Sequence, residues 1–163
     1  MVRFDGIDER ALAALARALA ERVREDGGVI YLVGPLGAGK TTFARALLHA
    51  LGVGARVKSP TYTLVESYAA GSLTAHHLDL YRIAAAEEVE WLGLRDLASG
   101  VQLWLIEWPE RAHGALPEPD VTVELAHAPS GRDVTLIAAS RPGESWLHGL
   151  DVVSLQQQVR GDS

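Results

Sequence analysis

Residues Gly34 to Thr41 read G-P-L-G-A-G-K-T, a full match to the pattern G-x-x-x-x-G-K-S/T. They stand between an apolar run, Val29 to Val33, and a helix-like run, Thr42 to Leu51. A strand must deliver the chain to such a turn, and a helix must leave it with its N-terminus aimed at the same point. The glycines let successive backbone N–H groups turn inward on an anion. This predicts a nucleoside triphosphate site in which Lys40 neutralises the β and γ oxygens and the Thr41 hydroxyl ligates Mg2+. Of the 15 basic residues only Lys40 and Lys58 are lysines. A planar guanidinium is a poor substitute for an ammonium point charge in a narrow loop, so a lysine at 40 fits a phosphate site. Lys58 becomes a candidate on the same ground, against the plainer reading of a solvated surface lysine.

The strand–loop–helix order implies an α/β fold class: a three-layer domain of the P-loop NTPase-like kind, with a mixed sheet of parallel centre plus antiparallel hairpins. Leu12, Leu15, Ala16, Leu19 and Val23 recur at helical spacing after Asp8, a predicted N-cap, and Gly27-Gly28 stops the pattern. Residues 63–68 and Leu73 to Leu80 flank the turn Gly71-Ser72 and predict one hairpin. Val121 to Ala126 and Asp133 to Ala139 flank Pro129-Ser130-Gly131 and predict another. Val101 to Ile106 has the length of a buried strand, and Trp108 to Pro119 reads as a proline-rich loop. Short helices are expected over residues 87–92 and over Gly143 to Leu150.

At 163 residues, 48% hydrophobic and 22% charged, the chain can bury one sizeable core and is too short for two ordinary domains. The expectation is one ATPase domain over residues 1–155 and a flexible tail over 156–163. The absence of cysteine excludes disulfides, thiolate catalysis and cysteine-ligated metal centres, and it fits a reducing interior. No leader-like apolar segment opens the chain and no run approaches the length of a membrane span, so a cytoplasmic protein without membrane contact is expected. With no asparagine, the N-K-x-D signature of guanine recognition is missing. A net charge of −6 argues against a strong autonomous grip on nucleic acid.

Hydrolysis or phosphoryl transfer needs a carboxylate near Mg2+ and a group that orients the attacking oxygen. Two predicted strands end in acids: Asp79 in HHLDLYR and Glu107 in IEWPE. Either can hold the metal while the other positions water; the competing reading of each is a solvated strand-end carboxylate. The segment KSPTYT, residues 58–63, follows the loop–helix unit where a γ-phosphate-sensing switch would lie. Arg82 reads first as a pairing residue for a carboxylate. His76 and His77 lack a partner spacing for metal and read as strand or surface residues. Trp108 either covers the site or packs in its loop.

Taken together, GPLGAGKTT, VKSPTYTLVESY, HHLDLYR and LIEWPE resemble, in order and spacing, the TsaE (YjeE) family of small bacterial ATPases, over roughly Gly28 to Ser140. The resemblance implies an ATP hydrolase, dependent on Mg2+, that serves threonylcarbamoyladenosine modification of tRNA beside the anticodon with the TsaD and TsaB proteins. The tRNA would be held mainly by those partners. It also implies that Gly37, Ala38, Gly39, Lys40, Thr41 and Thr42 hold phosphates, that Thr41 and Glu107 serve Mg2+, and that Asp79 organises hydrolysis. Lys58 and Thr61 would belong to the switch, and Arg132 would be a nucleotide contact. A small-molecule kinase and a nucleotide-controlled binding module with little turnover are the competing functions.

Overall fold

The computed structural model describes residues 1–54, 57, 64–90, 93 and 100–161. The chain runs β1 (Val2–Ile7), α1 (Glu9–Val23), β2 (Gly28–Val33), α2 (Lys40–Ala50), β3 (Val65–Ala70), β4 (Leu73–Asp79) and a single-turn α3 (Glu87–Glu90). It continues through β5 (Val101–Glu107), a 3-10 turn (Pro109–Ala112), β6 (Val121–His127), β7 (Arg132–Ala138), α4 (Arg141–His148) and α5 (Val152–Arg160).

The strands form one seven-stranded sheet in the order β1-β7-β6-β2-β5-β4-β3. β2 pairs in parallel with β5 and with β6, and β5 pairs in parallel with β4. β3, β7 and β1 join by antiparallel pairing to β4, β6 and β7 respectively. Each expected hairpin is present, but each gives one of its strands to the parallel centre. β1 is an addition that the sequence reading lacks: Phe4 and Ile7 are buried while Arg3 and Asp5 face solvent, the charge pattern of an edge strand.

Residues alternate faces along a strand, so the central strands must be covered on both sides. On one face Ile30, Leu32, Leu103 and Leu105 pack under α1 and α2, whose buried stripes are Leu12, Leu15, Leu19 and Val23 and Phe43, Ala44, Leu47 and Leu48. On the other, Val29, Trp104, Ile106 and Leu78 pack with Leu80, Ile83, Val89 and Ala112. These are the three expected layers. The Asp8 carboxylate caps α1 by accepting from the Ala11 amide at 2.8 Å.

The frayed tail expected from Gln156 is helical instead as far as Arg160, with α5 capped by Asp151 and anchored on the core by Val152 and Leu155. Its three consecutive glutamines, 156–158, are exposed, which is why the sequence carries little apolar signal there. Among the described residues no helix is long and apolar enough to cross a membrane.

Candidate functional site

The site begins where β2 ends. Gly34 leaves the strand at φ 153°, and a Cβ there would lie 2.2 Å from the Leu125 carbonyl oxygen of β6. Gly39 is restricted by its backbone, at φ 110°, and a Cβ there would also lie 2.1 Å from Nη1 at the end of the Arg132 side chain. Only glycine fits either place. Gly39 also brings no side-chain cap to α2, so the first-turn N–H groups of that helix are left for an anion. Ala38 turns its methyl into the core.

Lys40 opens α2 and is 95% buried by its surroundings, with only 5% exposure. Its Nζ donates to the carbonyl oxygens of Gly34 (2.5 Å) and Pro35 (2.9 Å) and lies 4.2 Å from the centre of the Trp108 ring. Burial pushes the Lys40 pKa below its usual value, against the opposing pull of Glu107, Glu110 and Asp79. An ammonium so held is aimed across the loop and gains from any further negative charge brought to it.

The two strand-end acids are side by side. In the parallel register of β4 and β5, Asp79 is opposite Glu107, and Glu107 is also opposite Leu32 of β2. Glu107 is 2% exposed. Its Oε1 accepts from the Thr41 hydroxyl at 2.8 Å, and its Oε2 contacts Nε2 of His77 at 2.6 Å. Asp79 is half-buried and accepts from the Tyr81 amide at 3.1 Å. Burial pushes the Asp79 pKa up and Glu107 adds to the rise, while the Tyr81 amide, His77 and Lys40 oppose it.

A cleft of about 440 Å³ joins these groups; Gly37, Gly39, Lys40, Thr41, Thr42, Asp79, Glu107 and Arg132 all line it, with Arg82, Trp108, Tyr81 and Leu36 around them. Arg132 reaches it because β7 returns antiparallel beside β6, which runs next to β2. Trp108 adopts a left-handed backbone (φ 57°, ψ 49°) directly after Glu107, and its ring lies 4.9 Å from that of Tyr81. Lys58 and Thr61 lie outside the described residues.

Of the two readings of His77, strand or surface residue, the structure bears out the strand. The side chain is fully buried and bonded to the most buried acid of the site. His77 is opposite Leu105, so its contact with Glu107 is the diagonal one along one face of the sheet. Its place two residues before Asp79 on a period-two strand was the available signal. His76 is buried on the other face, bonded through Nδ1 to the Ser67 hydroxyl and through Nε2 to the side-chain Oε1 of Gln102, and tilted against Trp104. Tyr81 is a further cleft residue that motif reading missed, and nothing in its local pattern separates it from a loop tyrosine.

Chemically, the cleft presents a glycine-lined anion cradle, one ammonium, and a hydroxyl hydrogen-bonded to a carboxylate. The hydroxyl and carboxylates are hard oxygen donors, the kind that suit Mg2+. These residues fit a magnesium–triphosphate.

A family model described as "Threonylcarbamoyl adenosine biosynthesis protein TsaE" matches residues 7–134. Relatives that bear the name "tRNA threonylcarbamoyladenosine biosynthesis protein TsaE" include proteins from three bacteria. The one from Haemophilus influenzae is 40% identical over 144 residues, 86% of this chain and 91% of the relative. That from Treponema pallidum is 40% identical over 116 residues, covering 71% and 85%. That from Bacillus subtilis is 35% identical over 132 residues, 80% of each chain. The crystal structure of Bacillus subtilis YdiB superimposes with a TM-score of 0.69 at 24% identity, over 99% of this chain and 96% of that one. It bears on the fold.

Proposed function

The chain belongs to the TsaE family, and from that premise we propose that it is an Mg2+-dependent ATPase of tRNA threonylcarbamoyladenosine biosynthesis, working with TsaD and TsaB homologues. The observation that carries this reading is the hydrogen bond from Thr41 to Glu107 at the mouth of the phosphate loop, with Asp79 in register beside it. One acid is tied to the hydroxyl that meets the cation; the other faces the cleft.

The backbone N–H groups from Gly37 to Thr42 cradle the β and γ phosphates, and Lys40 exchanges its loop carbonyls for phosphate oxygens. Thr41 and Glu107 would hold Mg2+, which would supply neutralisation of phosphate charge. Asp79 orients the water whose oxygen bonds to the γ-phosphorus as the bond to the β–γ bridging oxygen breaks, giving ADP and phosphate. The raised Asp79 pKa fits a carboxyl that takes part in a proton's movement. Arg132, against Gly39, contacts the nucleotide from the β7 side, and Lys58 and Thr61 belong to the switch that senses the γ-phosphate.

The test is reconstitution of tRNA modification with TsaD and TsaB homologues, with this chain present or omitted and ATP hydrolysis followed in parallel. Hydrolysis that rises with the partners, and modification that stops after the first cycle without this chain, are the expected results. Full repeated modification in its absence rejects the role, and stoichiometric phosphate transfer to a small acceptor moves the reading to a kinase.

A further inference from the structure

His77 is a buried polar side chain with one polar contact. Its Nε2 meets Glu107 Oε2 at 2.6 Å, while Nδ1 is buried without a hydrogen-bond partner among the described residues. A carboxylate only accepts, so Nε2 carries the proton and donates it. An imidazole buried with one nitrogen unpaired costs free energy that an apolar side chain of similar size would not. Ala75, on the same face of β4, and Leu105, opposite His77 on β5, are fully buried and apolar, so position 77 has no need of polarity for packing. What the imidazole provides is a hydrogen bond to Glu107.

Glu107 is held at both oxygens from two different elements: by His77 from β4 at Oε2 and by Thr41 from α2 at Oε1. Two bonds fix the plane of the carboxylate, and Oε1 stays turned to the start of α2. With the His77 bond removed, one anchor is left and the plane can rotate about it. His77 itself does not line the cleft, so any effect on nucleotide passes through Glu107.

We propose that His77 is a positioning residue that holds Glu107 toward Thr41 and thereby sets the Mg2+-linked part of ATP affinity. This rests on the reading that the cleft takes Mg-ATP. His77 touches neither nucleotide nor cation in this assignment; it is the outer partner of a carboxylate whose orientation the cation needs.

Two measurements test it. Long-range proton–nitrogen NMR on the wild-type protein without nucleotide should show His77 protonated at Nε2, with that proton shifted downfield by its hydrogen bond; an Nε2 without a proton overturns the pairing. ATP affinity is then measured with Mg2+ and with EDTA for wild type, His77→Leu and His77→Gln, each checked for folding by circular dichroism. His77→Leu should reduce the Mg2+-linked gain in affinity by about tenfold while metal-free affinity stays within about twofold, the scale of losing an outer partner of a metal ligand. His77→Gln, whose amide N–H extends toward the place of Nε2, should keep most of the gain. In a Glu107→Gln background, His77→Leu should add nothing.

A general loss with and without Mg2+, or an unchanged gain, marks His77 as structural and overturns the proposal. If His77→Leu does not fold, the wild-type proton and the folded Gln variant decide; a Gln variant that loses the gain overturns it. Wild-type protein that binds no ATP in either condition fails the reading of the cleft itself, whereas normal ATP binding with an insensitive Mg2+ gain fails His77 alone.

Discussion

Lys40 is the residue on which charge matters most. Its ammonium is held under Trp108 by two loop carbonyls, in a place where burial works against its charge. Lys40→Ala should therefore leave the domain folded by circular dichroism yet weaken Mg-ATP binding at least tenfold, the scale of one lost charge-assisted bond of about 1.5–3 kcal/mol. Wild-type affinity in a folded variant would remove the phosphate-site assignment. Asp79 yields a prediction whose sign depends on pH. Its folded-state pKa lies above the unfolded value, so the folded chain holds the proton more tightly and ionisation favours unfolding. The associated stability is present below the ordinary carboxylate range, about pH 4, and is lost as pH rises through the folded value. Asn does not ionise. The melting temperature of Asp79→Asn relative to wild type should accordingly increase between acid and neutral pH, while single-turnover hydrolysis falls and ATP remains bound. A melting difference that does not change with pH contradicts the assignment of Asp79 as a carboxyl strained by burial.

At the scale of elements, Asp120 ties three starts together. Its Oδ2 accepts from the Val29 amide at 2.8 Å at the start of β2, its own amide donates to the Val29 carbonyl at 2.8 Å, and its Oδ1 accepts from the Ser140 hydroxyl at 2.6 Å. Ser140 in turn caps α4 by accepting from the Gly143 amide. Asp120→Ala leaves a β2 amide and a capping hydroxyl without this acceptor, and should cost about 2 kcal/mol. Urea unfolding should show a lower midpoint with an unchanged slope; an unmoved midpoint would mean that the backbone pairing of residues 29 and 120 suffices. The opposite end of β2 carries the phosphate loop, and beside it β5 ends in Glu107. The capping network thus lies at one end of the parallel strands and the candidate site at the other, the arrangement expected where ligands sit beyond the carboxyl ends of strands.

For the whole molecule, a net charge of −6 bears on how tRNA is met. The isolated chain should bind tRNA more weakly than about 10⁻⁶ M at physiological salt, within or below the non-specific range, and tight binding should require the TsaD and TsaB homologues. Filter binding with and without those proteins checks this, and tight, salt-resistant binding by the chain alone contradicts it. The sequence by itself determined the phosphate loop, β2, α1 and α2, because each rests on contiguous signals: fixed glycines and lysine, a stripe at 3.6 spacing, a cap. It also marked Asp79 and Glu107 as strand-end acids. It did not determine that they are neighbours, since the parallel pairing of β4 with β5 joins residues whose partners no local period names. The same holds for Arg132 against Gly39, 93 positions apart, and for His77 on Glu107, 30 apart, where two hairpins that look alike in sequence each give one strand to the parallel centre. Edge strand β1 and the polar helix α5 escaped for a related reason: what fixes them is the core surface they cover, and that surface exists only after the sheet has assembled.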